Sequence, residues 1–364
     1  MKITAAVVRE PSGPFLLEGI DLDQPRTDEV LVRIVGTGVC HTDLVARAGY
    51  IPVPLPAVFG HEGAGIVEQV GSQVTKVQPG DHVVLSFLTC GCCPACLKGE
   101  PSHCPTFLPL NVAGVRADGS TTLSQGGTPI RGSFFGQSSF ATHALARERN
   151  VVKIRGDVPL ELMGPLGCGL QTGAGGVLNT LKPPVGSSIA IFGAGSVGMS
   201  AALAAQAAGC STIIAVDIKP ERLAMARELG VTHALDAGAG LVVEEIRRIT
   251  GSGADFSLDC TGLPQVLRQA VDCLRVGGTC GLIGVAAPGV EVALQMTTLL
   301  DARTVRGIVE GDSNPDIFIP QLIELYRQGK FPFDKMVKFY PLDRINQAVE
   351  DSEQGRVLKA VLKP

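Results

Sequence analysis

Residues 1 to about 160 alternate apolar and polar positions in short runs broken by turn signals. Glu29-Val-Leu-Val-Arg-Ile-Val35, residues 61–70 and residues 81–85, entered through Pro79-Gly80, read as strands. This part is expected to be all-β with loops. From Ser187 the pattern changes. Strands at 188–192, 212–217, 255–259 and 279–285 are separated by helical spacing, including 196–208 and 220–229, and that alternation predicts a doubly wound parallel sheet. After Gly307, helices are expected at 316–328 and 343–353, with a last strand at 359–363 rejoining the first domain.

No charged residue occurs between Lys182 and Asp217, a length that could be mistaken for a membrane span. Gly186, Gly193, Gly195, Gly198 and Gly209 divide it instead into strand, turn and helix, and Gln206 would be costly in lipid. The chain has 364 residues, enough for roughly two domains at about 150 residues each. Glycine is abundant but has no triplet period, and 45% of residues are apolar, which excludes collagen and bulk disorder. A net charge of -4 offers no basic footprint for nucleic acid or an acidic membrane, so a small neutral ligand fits better. Eleven cysteines, an odd number, argue against an oxidised secreted framework. The opening MKITAAVVRE has too short an apolar run for a signal peptide, and a cytoplasmic protein is expected.

Gly193-Ala-Gly-Ser-Val-Gly198 follows an apolar strand and opens a helix. Gly193 permits the turn, Gly195 lets a pyrophosphate approach the backbone, and Gly198 lets the helix pack on the strand. Asp217 stands 19 residues past Gly198, at the end of the next strand, where its carboxylate can accept the ribose hydroxyls and would repel a 2′-phosphate. NAD is therefore expected over NADP. Cys90, Cys93, Cys96 and Cys104 bring four soft ligands into one loop, the makings of a closed structural zinc site, with Cys92 leaving the register ambiguous. Cys40, His61 with Glu62, and Cys168 are far apart along the chain. Two thiolates and one imidazole would leave a fourth zinc position open, but each reads singly as a core residue and spacing alone does not join them.

GVCHTD, GHEGAG, the four-cysteine loop and GAGSVG occur in the order found in the zinc-dependent medium-chain alcohol dehydrogenases, which the chain resembles over essentially its whole length. Through PVPLPAVFGHEGAG, SFFGQSSFATHAL, PLGCGLQTGAG and FIPQLIELYRQGKFPFDK it is most similar to the aryl (benzyl) alcohol dehydrogenases. The geraniol dehydrogenases share much of these stretches. The resemblance implies an α/β protein with a GroES-like, β-rich catalytic domain at 1–166 and 310–364 and a Rossmann NAD-binding domain at 167–309. It also implies two zinc ions per subunit. Cys40, His61 and Cys168 would bind the catalytic one, with Asp43 orienting His61 and Glu62 an occasional ligand. Thr42 would begin proton removal from the alcohol. His41 and Lys359 would meet the cofactor pyrophosphate, Thr172 and Val197 would border the nicotinamide, and Arg222 would join Asp217 at the adenosine ribose. Homo-oligomerisation is expected by pairing of cofactor-domain sheet edges.

An alcohol must lose its hydroxyl proton before its carbon can release hydride, and a zinc ion lowers that cost, as it lowers the pKa of bound water to about 7. Many relatives carry a proton-relay histidine five residues after the first zinc cysteine; here that residue is Val45. Phe87, Phe134 and Phe135 are candidate pocket walls for a ring-bearing or allylic alcohol, with a plain core as the other reading. Oxidation of a benzyl-type alcohol to its aldehyde is expected, with a geraniol-type alcohol as the alternative. A zinc-stabilised, non-catalytic redox-sensing or binding protein is the reading from another class.

Overall fold

The computed structural model describes all 364 residues, and the chain divides into two compact units. The first comprises Met1–Cys168, Asn314–Pro320 and Met336–Pro364, and the second comprises Gly169–Ser313 and Gln321–Lys335. The division departs from the expected boundaries at 167–168, which fall in the first unit, and at 310–313 and 321–335, both of which pack with the second unit. The physical reason lies in the apolar side chains of the latter stretch. Leu322, Ile323, Phe331 and Phe333 are buried, and Phe333 packs on Tyr326 and Phe331.

Two sheets organise the first unit. In the larger, seven-stranded sheet, the strand Glu29–Gly38 is central, flanked by Gly63–Val70, His143–Arg147 and, across from it at Gly38↔Val361, the last strand Lys359–Lys363. Its alternation sorts side chains by face. Val30, Val32 and Ile34 enter one core with Val67, Val83 and Leu85, while Leu31 enters a second core that fills against the five-stranded sheet containing Lys2–Val8. The unit is not all-β, because short helices occur at His41–Arg47, Pro94–Leu97 and Phe107–Val112. Runs this short carry too little of a 3.6-residue period to be read from sequence.

The second unit is a six-stranded parallel sheet. Its strands, numbered within the sheet in order of appearance, are Ser188–Phe192, Thr212–Asp217, His233–Asp236, Ala254–Asp259, Leu274–Leu282 and Thr304–Gly307, arranged 3-2-1-4-5-6. This is the doubly wound dinucleotide-binding order. The strands Ser188–Phe192 and Thr212–Asp217 are buried almost throughout and read as continuous apolar runs, as a sheet covered on both faces requires.

Candidate active site and cofactor site

The helix His41–Arg47 starts beside the strand that ends at Gly38, and Asp43 in its first turn is buried completely. The Asp43 carboxylate accepts three bonds: from Cys40 N at 3.1 Å, Gly60 N at 2.9 Å and His61 Nδ1 at 2.9 Å. One side chain thereby ties together two segments that are remote in sequence. The bond to Nδ1 leaves His61 Nε2 facing inward, and that buried atom has no hydrogen-bond partner in the protein. Donor atoms of Cys40, His61, Glu62 and Cys168 all lie within 4.8 Å of one another. An orphaned imidazole nitrogen among two thiols and a carboxylate is the donor set of a zinc site with a replaceable ligand.

Electrostatics support the same assignment. Hydrogen bonding to Cys168, with help from His61, holds the Cys40 thiol well below its ordinary range despite burial. Burial would lower the His61 imidazole, but Asp43 and Cys40 raise it well above its usual value. The pair thus concentrates thiolate and cationic charge where a metal cation would replace the proton. Thr42 is half-buried, its Oγ1 3.8 Å from Cys40 Sγ. Glu62 fits only because residue 38 is glycine, since a Cβ there would stand 1.9 Å from Glu62 Oε2.

Lys359 makes a contact that the sequence did not show. Its side chain is 1% exposed, and Nζ donates to both Glu62 oxygens at 2.9 Å and to Val39 O at 3.2 Å. It therefore forms a buried ion pair with Glu62 behind the donor group. Burial raises the Glu62 carboxyl and Lys359 opposes that shift. The pairing could not be read from sequence, because it depends on the last strand joining Glu29–Gly38.

Phe135 stacks on His61 with ring centroids 4.5 Å apart, and Phe134 meets the same imidazole edge-on at 5.7 Å. Phe87 reaches this group through Phe107, at 5.4 Å, which in turn contacts Phe135 at 6.3 Å. Phe107 was not singled out in the sequence, nor was Gln137, which is buried, accepts from Gly63 N and donates to His61 O. Gln137 stands inside FFGQSSF, and that motif was its only signal.

In the cysteine loop the donors of Cys90, Cys93, Cys96 and Cys104 gather within 4.8 Å, whereas Cys92 is exposed and outside the group, which settles the register. Sγ–Sγ distances include 3.5 Å for Cys90–Cys104 and 4.0 Å for Cys90–Cys96, close to the ~3.8 Å edge of a tetrahedron with Zn–S bonds of about 2.3 Å. Backbone N–H groups of Cys92 and Cys93 pull the Cys90 thiol down to about 5, while burial, together with Cys93, pushes Cys96 up to about 11. Thiols that divide in this way ionise together when a divalent cation removes their repulsion.

In the second unit Gly193 has φ 95° and donates its N–H to Val216 O, and Gly198 packs where a Cβ would lie 1.9 Å from Gly193 O. The helix Ser196–Ala207 begins after Gly195, with Val197 in its first turn. Asp217 accepts from Ala194 N at 2.7 Å and Lys219 N at 2.9 Å, and Arg222 stands 3.6 Å from it. Each carboxylate oxygen keeps a further lone pair for a ribose hydroxyl. Thr172 lies on the helix Gly169–Gly175, and His41 is exposed at the start of its own helix.

Residues 26–156 match the alcohol dehydrogenase GroES-like domain and residues 196–327 the zinc-binding dehydrogenase domain. Geraniol dehydrogenase of Castellaniella defragrans is 51% identical, over 98% of this chain and 96% of that protein. The chain belongs to the zinc-dependent medium-chain alcohol dehydrogenases. Two crystal structures superpose along the whole dehydrogenase, each covering 100% of this chain and 99% of its own. An alcohol dehydrogenase zinc-binding domain protein from Burkholderia ambifaria has 54% identity and TM-score 0.98, and benzyl alcohol dehydrogenase from Acinetobacter calcoaceticus has 48% identity and TM-score 0.96. This enzyme is accordingly a zinc alcohol dehydrogenase with the family's two-domain fold, and its cofactors are NAD and zinc.

Proposed function

We propose that this dehydrogenase oxidises a primary alcohol of the benzyl type to its aldehyde, reversibly. The observation that carries the reading is the aromatic group around His61, with Phe135 stacked on the imidazole and Phe134 edge-on to it. Flat unsaturated substrates gain from such walls. The 48% identity to a benzyl alcohol dehydrogenase supports the same substrate class. A geraniol-type allylic alcohol is the second reading, favoured by the 51% identical geraniol dehydrogenase.

In this reading Cys40, His61 and Cys168 hold the catalytic zinc with Glu62 beside it, and Cys90, Cys93, Cys96 and Cys104 hold the structural one. When bound, the zinc supplies Lewis acidity at the alcohol oxygen and NAD supplies the hydride acceptor. Thr42 Oγ1 would take the hydroxyl proton as its own proton moves on toward solvent, since Val45 cannot relay it. Asp43 orients His61, and Phe87, Phe134 and Phe135 exclude water. His41 reaches the pyrophosphate, Thr172 and Val197 border the nicotinamide, and Asp217 with Arg222 holds the adenosine ribose.

Two further proposals concern the whole enzyme. The strand Thr304–Gly307 is an exposed sheet edge, and Leu300 and Met296 just before it are 87% and 85% exposed, so a second copy of the chain is the expected occupant. No helix is long and apolar enough to cross a membrane, and eleven cysteines without a disulfide among them fit the reducing cytoplasm.

The test is NADH formation with benzyl alcohol, geraniol and ethanol, with NAD or NADP, before and after chelation. Benzyl alcohol is expected to exceed ethanol, NAD to exceed NADP, and chelation to abolish turnover. Preference for geraniol would transfer the assignment to the allylic alcohols. Absence of turnover with every alcohol would overturn it and favour a non-catalytic zinc protein.

A further inference from the structure

Beyond the carboxyl end of the strand Thr304–Gly307 the backbone turns through an uncommon path. Glu310, Gly311 and Asp312 have φ of 49°, 66° and 46°, three consecutive left-handed residues of which two carry a Cβ. Strain of this kind persists only where surrounding contacts over-determine it, and it gathers at functional sites. The contacts here are with the helix Gly169–Gly175 and the π-helical segment Gly176–Leu181 that continues it. A Cβ at residue 311 would lie 2.4 Å from Gln171 O and 3.0 Å from Thr172 O, and Asn179 Nδ2 donates to Gly311 O at 3.1 Å. Asp312 accepts from Thr180 Oγ1 at 2.8 Å and pairs with Arg306 at 3.0 Å.

The same turn delivers the half-buried Glu310 carboxylate to Thr172, whose Oγ1 donates to Oε2 at 3.2 Å. Thr172 is one residue from Gly173, and Gly173 packs so closely on the dinucleotide turn that a Cβ there would stand 2.0 Å from Val197 O. The carboxylate is therefore one hydroxyl away from a helix lying against the glycine-rich turn. It also lies past the carboxyl end of a parallel strand, where open α/β sheets bind their ligands.

We propose that Glu310 sets the balance of affinity between oxidised and reduced cofactor, favouring NAD over NADH. The proposal rests on the reading that Thr172 borders the nicotinamide. At that end the two cofactors differ by one positive charge on the ring, so a nearby carboxylate separates them while contacts with the common adenosine diphosphate ribose do not. Coulomb attraction between unit charges roughly 9 to 17 Å apart at an effective dielectric near 20 corresponds to about 5- to 20-fold in relative affinity. Differential affinity alone shifts such an equilibrium. A site biased in this way retains NAD and lets NADH go, which suits alcohol oxidation.

The experiment uses the zinc-loaded enzyme. The chain has no tryptophan, so NADH binding is read from the fluorescence of NADH itself, and NAD and adenosine diphosphate ribose from its displacement. Glu310→Gln removes the charge but keeps an oxygen for Thr172. It is expected to weaken NAD by about 5- to 20-fold relative to NADH, with adenosine diphosphate ribose unchanged. Glu310→Asp keeps the charge and is expected to hold the ratio near wild type even if the bond to Thr172 is lost. Equal shifts for NAD and NADH in Glu310→Gln would mean a purely structural role and overturn the proposal. An unchanged ratio alongside normal nucleotide binding would overturn it too. Loss of all nucleotide binding by the wild-type enzyme would instead overturn the reading of the cofactor site, and the proposal with it.

Discussion

The carboxylate of Asp43 accepts from Cys40 N, Gly60 N and His61 Nδ1, and nothing else at the site reaches all three. Replacing it would leave buried donors unpaired and let the imidazole rotate, and a carboxylate behind a metal-binding histidine is typically worth 10- to 100-fold in metal affinity or activity. Asp43→Ala is expected to reduce kcat/KM by about that factor and to lower the zinc content of the purified enzyme, measured by elemental analysis. An unaltered zinc content with unaltered rates would refute the role. At this scale the sequence was informative where motif and chemistry coincide, as in GVCHTD and GHEGAG. It did not show the buried pairing of Lys359 with Glu62, which depends on strand order, and it was silent on Phe107, which acts only through neighbouring rings.

At the scale of elements, the cysteine loop has little core of its own. The helix Pro94–Leu97 contributes no buried residue, so the lobe depends on its four thiols for order. Cys104→Ser is expected to lose the structural zinc and retain the catalytic one, with faster limited proteolysis between residues 90 and 104. Retention of both metals would contradict the assignment. A different device anchors the C-terminal helix Ile345–Glu353 to the strand Val337–Pro341. Tyr340 OH donates to Asp351 at 2.5 Å, joined by Arg356 at 2.6 Å and Gln347 at 2.9 Å. These donors, Tyr340 first, hold the Asp351 carboxyl well below its ordinary value. A depressed acid stabilises the fold above its unfolded pKa of about 3.9 and loses that contribution as pH falls through the folded value. Asp351→Asn should therefore lower Tm near neutrality and show a smaller further loss below about pH 4 than wild type. Parallel acid limbs in thermal melts would rule this out.

At the scale of the whole molecule, the parallel order 3-2-1-4-5-6 leaves Thr304–Gly307 as an edge with every residue exposed. Val305→Lys is expected to shift the enzyme toward monomer in light scattering, because a buried lysine at a paired edge is unfavourable. An unchanged mass would place the interface elsewhere. The alternation of strand and helix and the GAGSVG turn were legible in the sequence because each depends on local periodicity and on where glycine is sterically required. The four-cysteine site was legible because its ligands lie within one loop. Spacing along the chain did not join Cys40, His61, Glu62 and Cys168, which only the family resemblance had grouped; the tertiary structure brings them together, stands Lys359 behind them and carries Glu310 to Thr172. Those contacts join residues up to 297 positions apart. No local pattern encodes such pairings, which follow from strand order, register and the space that glycines such as Gly38 leave open.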